Sequence, residues 1–393
     1  MLKDNFKNFN LNFEIKKILL YLLPILIIFS NALTDLILAL LVFIYIFEKK
    51  FKFNLELFEY FLLAFFVFPI ISTIINFEID SFVKSILYLR FFIFYLLFKD
   101  FLIKNNANYI KYLFVIFILI SFDLLIQYFF YYDIFGFPKG EHRLSGFFNE
   151  EFIVATYLLL LFLFIFELVK RNVLFEFIFI NIAFIIFLII GERIIFFTFS
   201  SIIICYYFFN KFIFTFLYIS FLSILFILII SFFNLSYFFN EFLYRYYDFF
   251  DHITSYNNSI YYKLFLSSVN LIRENFLFGV GFDQFFNNCN LILENYSLKD
   301  EIFCSNHSHN YYLEIFSETG FFAFVNFLIL ICIIIYKLFK KYSFKSIYLF
   351  YFLFYIFPIK TYSSIYSQTD GLFFIITLSF IVFKFKSAKS IIS

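Results

Sequence analysis

The sequence predicts an all-α integral membrane protein of about twelve transmembrane helices, with one large outer (periplasmic) loop containing short helices. Three observations carry that prediction. Of the 393 residues, 64% are hydrophobic and 15% charged, with a mean hydropathy of +0.92, and no water-soluble core could hide so much apolar surface. Apolar runs recur at lengths that suit a hydrocarbon core of ~30 Å, which takes ~20 residues of helix. Cationic residues gather on alternate loops, as they do on the cytoplasmic side of multi-pass proteins. The 78 Phe and 31 Tyr, beside no Trp and 8 Gly, fit the codon bias of an AT-rich genome and read as lipid-facing or packing residues. A net charge of +2 offers no basic stripe, so no nucleic-acid partner is expected.

The expected spans are 15–30, 33–47, 57–75, 82–98, 112–132, 152–169, 173–190, 194–209, 212–233, 321–338, 346–359 and 372–385. The first lacks a small-residue cleavage site and reads as a retained helix rather than a signal peptide. With this count, about two thirds of the 30 Lys and Arg fall on one side, which makes both termini cytoplasmic. Residues 1–233 then hold nine spans, 234–308 form the outer loop, and 309–393 hold the last three, all in one membrane domain. Arg90 and Asp123, each deep in an expected helix, are expected to form an intramembrane ion pair, because a lone charge at that depth is costly.

Within the outer loop, Tyr261, Leu264, Phe265, Val269 and Ile272 recur at helical spacing, with Lys263, Ser267, Asn270 and Glu274 opposite. That pattern predicts an amphipathic helix along the membrane surface, ended by a turn at Gly279-Val280-Gly281. Of the four cysteines, Cys205 and Cys332 fall in spans. Cys289 and Cys304 share the outer loop, where a bridge worth ~3 kcal/mol and two free thiols are both compatible with the sequence. No metal is expected, since Cys304, His307 and His309 lack a fourth ligand.

Three stretches carry candidate chemistry. Glu141-His142-Arg143-Leu144-Ser145-Gly146-Phe147-Phe148-Asn149 precedes the sixth span. Gly191-Glu192-Arg193 is the whole outer connection between the seventh and eighth, so Arg193 is pinned where it either snorkels or faces a polar cavity. His307-Ser308-His309-Asn310 is followed, after nine residues, by Gly320, and Ala323 stands three residues further on. A neutral imidazole is suited to take a proton near pH 7, whereas His309 and Asn310 could instead simply cap a helix.

The His-Asn-x9-Gly spacing resembles the signature of the O-antigen ligase and polymerase-like family of membrane glycosyltransferases. The Arg-Gly-Asn order at Arg143, Gly146 and Asn149, the arginine at the seventh-to-eighth junction and the helix followed by Gly-x-Gly resemble it too. Ala323 departs from the family's usual Gly or Thr. The resemblance implies that His309 is the base and Arg193 a contact for the donor diphosphate, with Arg143 a contact for lipid phosphate. Asn149, Lys263, Arg273, Asn310 and His307 complete the expected substrate-binding set. The family's second arginine falls near Tyr261, which is not cationic, leaving Lys263, Arg245 and Arg273 as substitutes.

The donor implied is a glycan on undecaprenyl diphosphate, the acceptor a sugar hydroxyl on lipid A-core or another glycan, and the place the periplasmic face of a bacterial inner membrane. Transfer would invert the anomeric centre and use neither metal nor other cofactor, because cations can stabilise the leaving diphosphate. A polymerase shares this chemistry and differs in acceptor; the motif spacing and the single large loop favour a ligase. A transporter would call for internal repeats and interrupted helices around a midplane site, and the sequence displays no such repeat.

Overall fold

The computed structural model describes residues 2–50, 52–140, 143–149, 153–210, 259–296, 302–358 and 363–387. Among these, every regular element is helical, apart from an isolated bridge between Tyr132 and Pro138. The α-helices are α1 Leu2–Phe29, α2 Asn31–Lys49, α3 Leu57–Ile75, α4 Ile79–Tyr88, α5 Arg90–Phe130, α6 Val154–Val169, α7 Val173–Ile190 and α8 Arg193–Asn210, followed by α9 Ile260–Glu274, α10 Phe285–Tyr296, α11 Tyr311–Tyr342, α12 Ile347–Tyr355 and α13 Gln368–Ser387. Seven helical stretches are long and apolar enough to cross a membrane, and α6 is a shorter apolar helix, so the chain is a multi-pass membrane protein. The expected ninth span, 212–233, and Arg245 lie outside the described residues, as do Glu141 and His142.

Local chemistry sets several ends. Ser30 caps α2, its hydroxyl accepting from Leu33 N, and Asn172 caps α7 through Leu174 N and Phe175 N. Gly191, at φ +78°, ends α7 in the left-handed conformation that glycine adopts freely. The limits of α3 and α7 are those the apolar runs predict.

Two expected spans merge and one shrinks. Segment 82–98 is divided between α4 and the start of α5, and 112–132 falls in α5 up to Phe130, yet the rings of Phe98 and Tyr109 lie 5.7 Å apart and those of Phe101 and Tyr109 5.2 Å. A straight helix would separate the first pair by about 16 Å, so α5 doubles back across its polar stretch Lys104-Asn105-Asn106 and its limbs run in opposite directions. The expected span 346–359 is realised only as α12, nine residues and about 14 Å, half a hydrocarbon core.

The bundle has two chemically distinct ends. At one, Lys99 pairs with buried Glu59, Lys49 lies 3.3 Å from Asp100, and Lys170 and Lys384 each lie 3.0 Å from Glu167. The other end collects the turn at Ser30, the ends of α3 and α7, and the loop layer of α9 and α10. The expected Arg90–Asp123 pair does not form. Arg90 pairs with Asp35 on the neighbouring α2, while Asp123 accepts from Ile134 N at 2.9 Å, because residues 131–140 and 143–149 pack over the end of α5 and bring their own donors.

Candidate functional site

The His-Asn stretch forms a tight turn followed by a capped helix. Asn310 is the N-cap of α11: its Oδ1 accepts from Tyr312 N at 3.0 Å and Leu313 N at 3.2 Å, while its Nδ2 donates to Pro358 O at 2.6 Å. Ser308 is buried and its hydroxyl donates to Asn310 O at 2.9 Å. Between them His309 takes φ +54°, in the left-handed region that non-glycine residues seldom occupy. The turn brings His307 Nε2 to 3.2 Å from His309 Nδ1, and Tyr261 of α9 meets the His309 ring edge-to-face with centroids 6.4 Å apart. Burial first, and the neighbouring His309 second, push the His307 pKa down to about 4.

Gly320 explains the nine-residue spacing. Its φ of +84° breaks α11 into limbs 311–319 and 321–342. The rings of Phe316 and Phe324 stack at 4.9 Å and those of Tyr312 and Phe327 lie 5.6 Å apart, so the short limb folds back along the long one. Tyr312, at the start of the short limb, is therefore level with Phe327, about 10 Å along the long limb from the bend, and the His309 turn lies at that end of the limb.

The Gly279-Val280-Gly281 turn fits onto that bend. Val280 N donates to Ser317 O at 2.9 Å, Gly281 N to Glu318 O at 3.0 Å, and Phe321 N to Phe276 O at 3.0 Å. A Cβ on Gly279 would sit 2.3 Å from the Glu318 carbonyl carbon, and one on Gly320 would sit 2.3 Å from Leu277 O. Ser72 of α3 and Asn76, its C-cap, bind the same turn through Phe278 O and Gly279 O. The two glycine motifs are thus one backbone crossing, with α3 beneath it.

The outer helix forms as α9, turned differently from its sequence pattern. Leu264, Ser267, Ser268 and Leu271 are buried, whereas Tyr261 and Phe265 are exposed at 40% and 39%. Ser267, expected on the polar face, donates to Phe303 O at 2.8 Å. The cause is a small second core of Leu264, Leu271, Val280, Phe285, Cys289, Ile292 and Ile302, which draws the helix onto the loop layer. Cys289 and Cys304 are bridged, with Cα atoms 5.6 Å apart. The bridge resolves the alternative left open by the sequence and consumes the thiol that a metal site would need.

At the junction of α7 and α8, Arg193 opens α8 and Arg143 Nη1 lies 2.8 Å from Glu192 Oε2, with Leu144 N donating to Ile190 O at 3.1 Å. Two expected phosphate contacts thus share one corner. At its other end α8 touches Lys345 O through Asn210, and Phe209 stacks on Phe350 at the start of α12. Since α8 arrives there and α12 departs from it, Arg193 and Pro358, the partner of Asn310, lie toward the opposite end of the bundle. That places His309 and Arg193 in the same half of the molecule. Lys263 stands on α9 two residues from Tyr261. Arg273 is exposed in the last turn of α9, about 18 Å along the helix from Tyr261, and Asn149 is exposed at φ +55° after a short 3-10 turn.

Sequence reasoning passed over three residues here. Glu314 and Glu318 are buried in the short limb; Glu314 accepts from Ile365 N at 2.9 Å and from Ser364, and Glu318 from Asp283 N at 2.8 Å. Two carboxylates four apart inside an apolar run were the available signal. Tyr261, dismissed for lacking charge, occupies the expected arginine position against the His309 ring.

Residues 178–328 match the family described as O-antigen ligase. That segment contains Arg193, Lys263, Arg273, His307, His309, Asn310 and Gly320, while Arg143 and Asn149 precede it. The chain is similar to that family there, as its motif spacing implies, and the match supports an O-antigen ligase- or polymerase-like membrane enzyme, whose substrates in general are a lipid-linked glycan and an acceptor. No curated protein matches the chain.

Proposed function

We propose that this chain is a periplasm-facing glycosyltransferase of the O-antigen ligase type, moving a glycan from undecaprenyl diphosphate to a sugar hydroxyl of lipid A-core in the bacterial inner membrane. The observation that carries this reading is that His309, held at a left-handed backbone angle and partly buried, lies in the same half of the bundle as Arg193, inside the segment that matches the ligase family. The Cys289–Cys304 bridge supports an oxidising compartment for that half, and the cluster of lysines at the other end supports a cytoplasmic location there. Both termini are then cytoplasmic.

His309 takes the proton of the acceptor hydroxyl as its oxygen forms a bond to the anomeric carbon. The bond from that carbon to the diphosphate oxygen breaks, and the leaving diphosphate keeps the electron pair. Arg193 stabilises that charge with a planar fork of donors, and Lys263 stands in for the missing second arginine. Arg143, Asn149, Arg273, Asn310 and His307 bind or frame the substrates. Direct displacement inverts the anomeric carbon, and the cations make a metal unnecessary.

The test is glycan transfer in vitro by purified His309→Ala and Arg193→Ala proteins, with EDTA present throughout. We expect losses on the order of 100-fold or more for each, by analogy with the loss of a general base or a charge-stabilising group. Normal transfer by both variants would sink the mechanism, and wild-type transfer stopped by EDTA would overturn its metal-free form. Transfer to a lipid-linked glycan in preference to a core acceptor would make the protein a polymerase, the second reading that the family match supports.

A further inference from the structure

We propose that His307 is a positioning residue that sets the tautomer of His309, accepting a hydrogen bond at Nε2 from the N–H at His309 Nδ1. The proposal rests on the reading of His309 as the base and assigns to a second histidine the role of orienting it.

The turn sets the two rings side by side. Ser308, buried, bonds across to Asn310 O, Asn310 is locked onto the start of α11 and onto Pro358, and the left-handed His309 backbone between them presents its ring to His307. The ring centroids lie 4.1 Å apart and the nitrogens 3.2 Å, within hydrogen-bond reach. Tyr261 meets the His309 ring edge-to-face. Three residues before His307, the chain is tied to α10 by the cystine at Cys304.

Two neutral imidazoles joined by one hydrogen bond have two arrangements. If His307 donates from Nε2, His309 Nδ1 is the acceptor and its remaining hydrogen resides on Nε2, which leaves no lone pair there for a hydroxyl proton. If His309 donates from Nδ1, its Nε2 carries the lone pair and His307 holds its own hydrogen on Nδ1. Only the second arrangement makes His309 a base through Nε2. Burial keeps His307 neutral across the physiological range, so its Nε2 retains the acceptor lone pair this arrangement needs. A neutral partner also avoids placing a fixed positive charge beside the imidazolium formed in the reaction.

The experiment reads the tautomer directly. The chain has 4 histidines, so protein labelled with 15N-histidine in lipid nanodiscs gives few imidazole signals, assignable by single substitution. At pH 7.5, without substrate, His309 should show a protonated Nδ1 and an unprotonated Nε2. His307→Gln, which keeps an acceptor oxygen, should preserve that state, and His307→Leu should move His309 toward the Nε2–H form. In transfer assays His307→Leu should lower kcat about 10- to 100-fold with little change in KM, and His307→Gln should recover most of the loss. An Nε2–H tautomer of His309 in the wild type would overturn the proposal, as would an Nδ1–H signal that survives in His307→Leu. If His307→Leu does not fold, the wild-type and His307→Gln spectra still decide. The tautomer is read without turnover, so normal transfer by His309→Ala would remove the base mechanism while leaving this hydrogen bond standing or falling on its own signals.

Discussion

At the scale of single residues, the turn before α11 combines a cap, a strained angle and a ring pair in four positions. Asn310 satisfies two of the backbone N–H groups that a helix start leaves unpaired, and it ties that start to Pro358 O. Asn310→Ala should therefore cost about 1–2 kcal/mol of stability, while Asn310→Asp, which keeps the cap oxygen, should recover part of it. Thermal unfolding in detergent checks both, and equal losses for Ala and Asp would show that the Pro358 link outweighs the cap. His307 gives a pH dependence. Its folded pKa of about 4 lies below the ordinary 6.5, so the unfolded chain binds a proton that the folded one refuses. This contribution is constant above pH 6.5 and turns against folding as pH falls from there toward 4. The melting temperature should drop between pH 7 and 5, and His307→Gln should flatten that drop; an equal slope in both proteins would contradict the assignment.

At the scale of elements, the crossing of Gly279 and Gly320 decides how the short limb of α11 stands. Each glycine has a positive φ and a neighbour's backbone where a Cβ would be, so no side-chain adjustment relieves a substitution. Gly320→Ala should destabilise by about 3 kcal/mol or more and abolish transfer, and Gly279→Ala should do much the same. Gly136→Ala is the control: it shares the positive φ but has nothing within 4 Å, so it should be milder and leave transfer intact. The glycines, the Asn cap and the limits of α3 and α7 were legible because each is a local rule written in a few adjacent residues. The return of α5 was legible as well, as two expected spans on either side of the polar stretch at Lys104, whereas the fold-back of α11 was not, since it depends on ring contacts between separate turns. The face of α9 was misread for a related reason. Periodicity reports which side is apolar, but the buried side is chosen by the partner, here a second core closed around Cys289 that buries Ser267 and leaves Phe265 exposed. Arg90 found Asp35 rather than Asp123 because ion pairs follow the packing of α2 on α5, which no single segment records.

At the scale of the whole molecule, the loop layer and the membrane bundle meet at α11, and the cystine decides how firmly. Cys289 is buried in the second core, Cys304 follows Phe303, whose backbone N and O both bond Ser267 of α9, and His307 comes three residues later. The segment that delivers the histidines is thus anchored on its upstream side by one covalent link and a pair of hydrogen bonds, and on its downstream side by the Asn310 cap. Removing the covalent link by Cys289→Ser with Cys304→Ser frees a loop of separation 15, worth on the order of 3 kcal/mol in the chain-entropy model. The bundle has its own large core and does not depend on that bridge, so the loss should be local. We expect a bundle that still folds, faster amide exchange in α9 and α10 with little change in α3 and α5, and transfer lowered severalfold. Treatment of the wild type with a reductant should reproduce all three effects, and the double variant should be indifferent to it. Exchange that rises equally in α3 and α5 would mean that the loop layer and the bundle unfold as one unit. In that case the turn that carries His309 would owe its shape to the whole fold rather than to the bridge upstream of it.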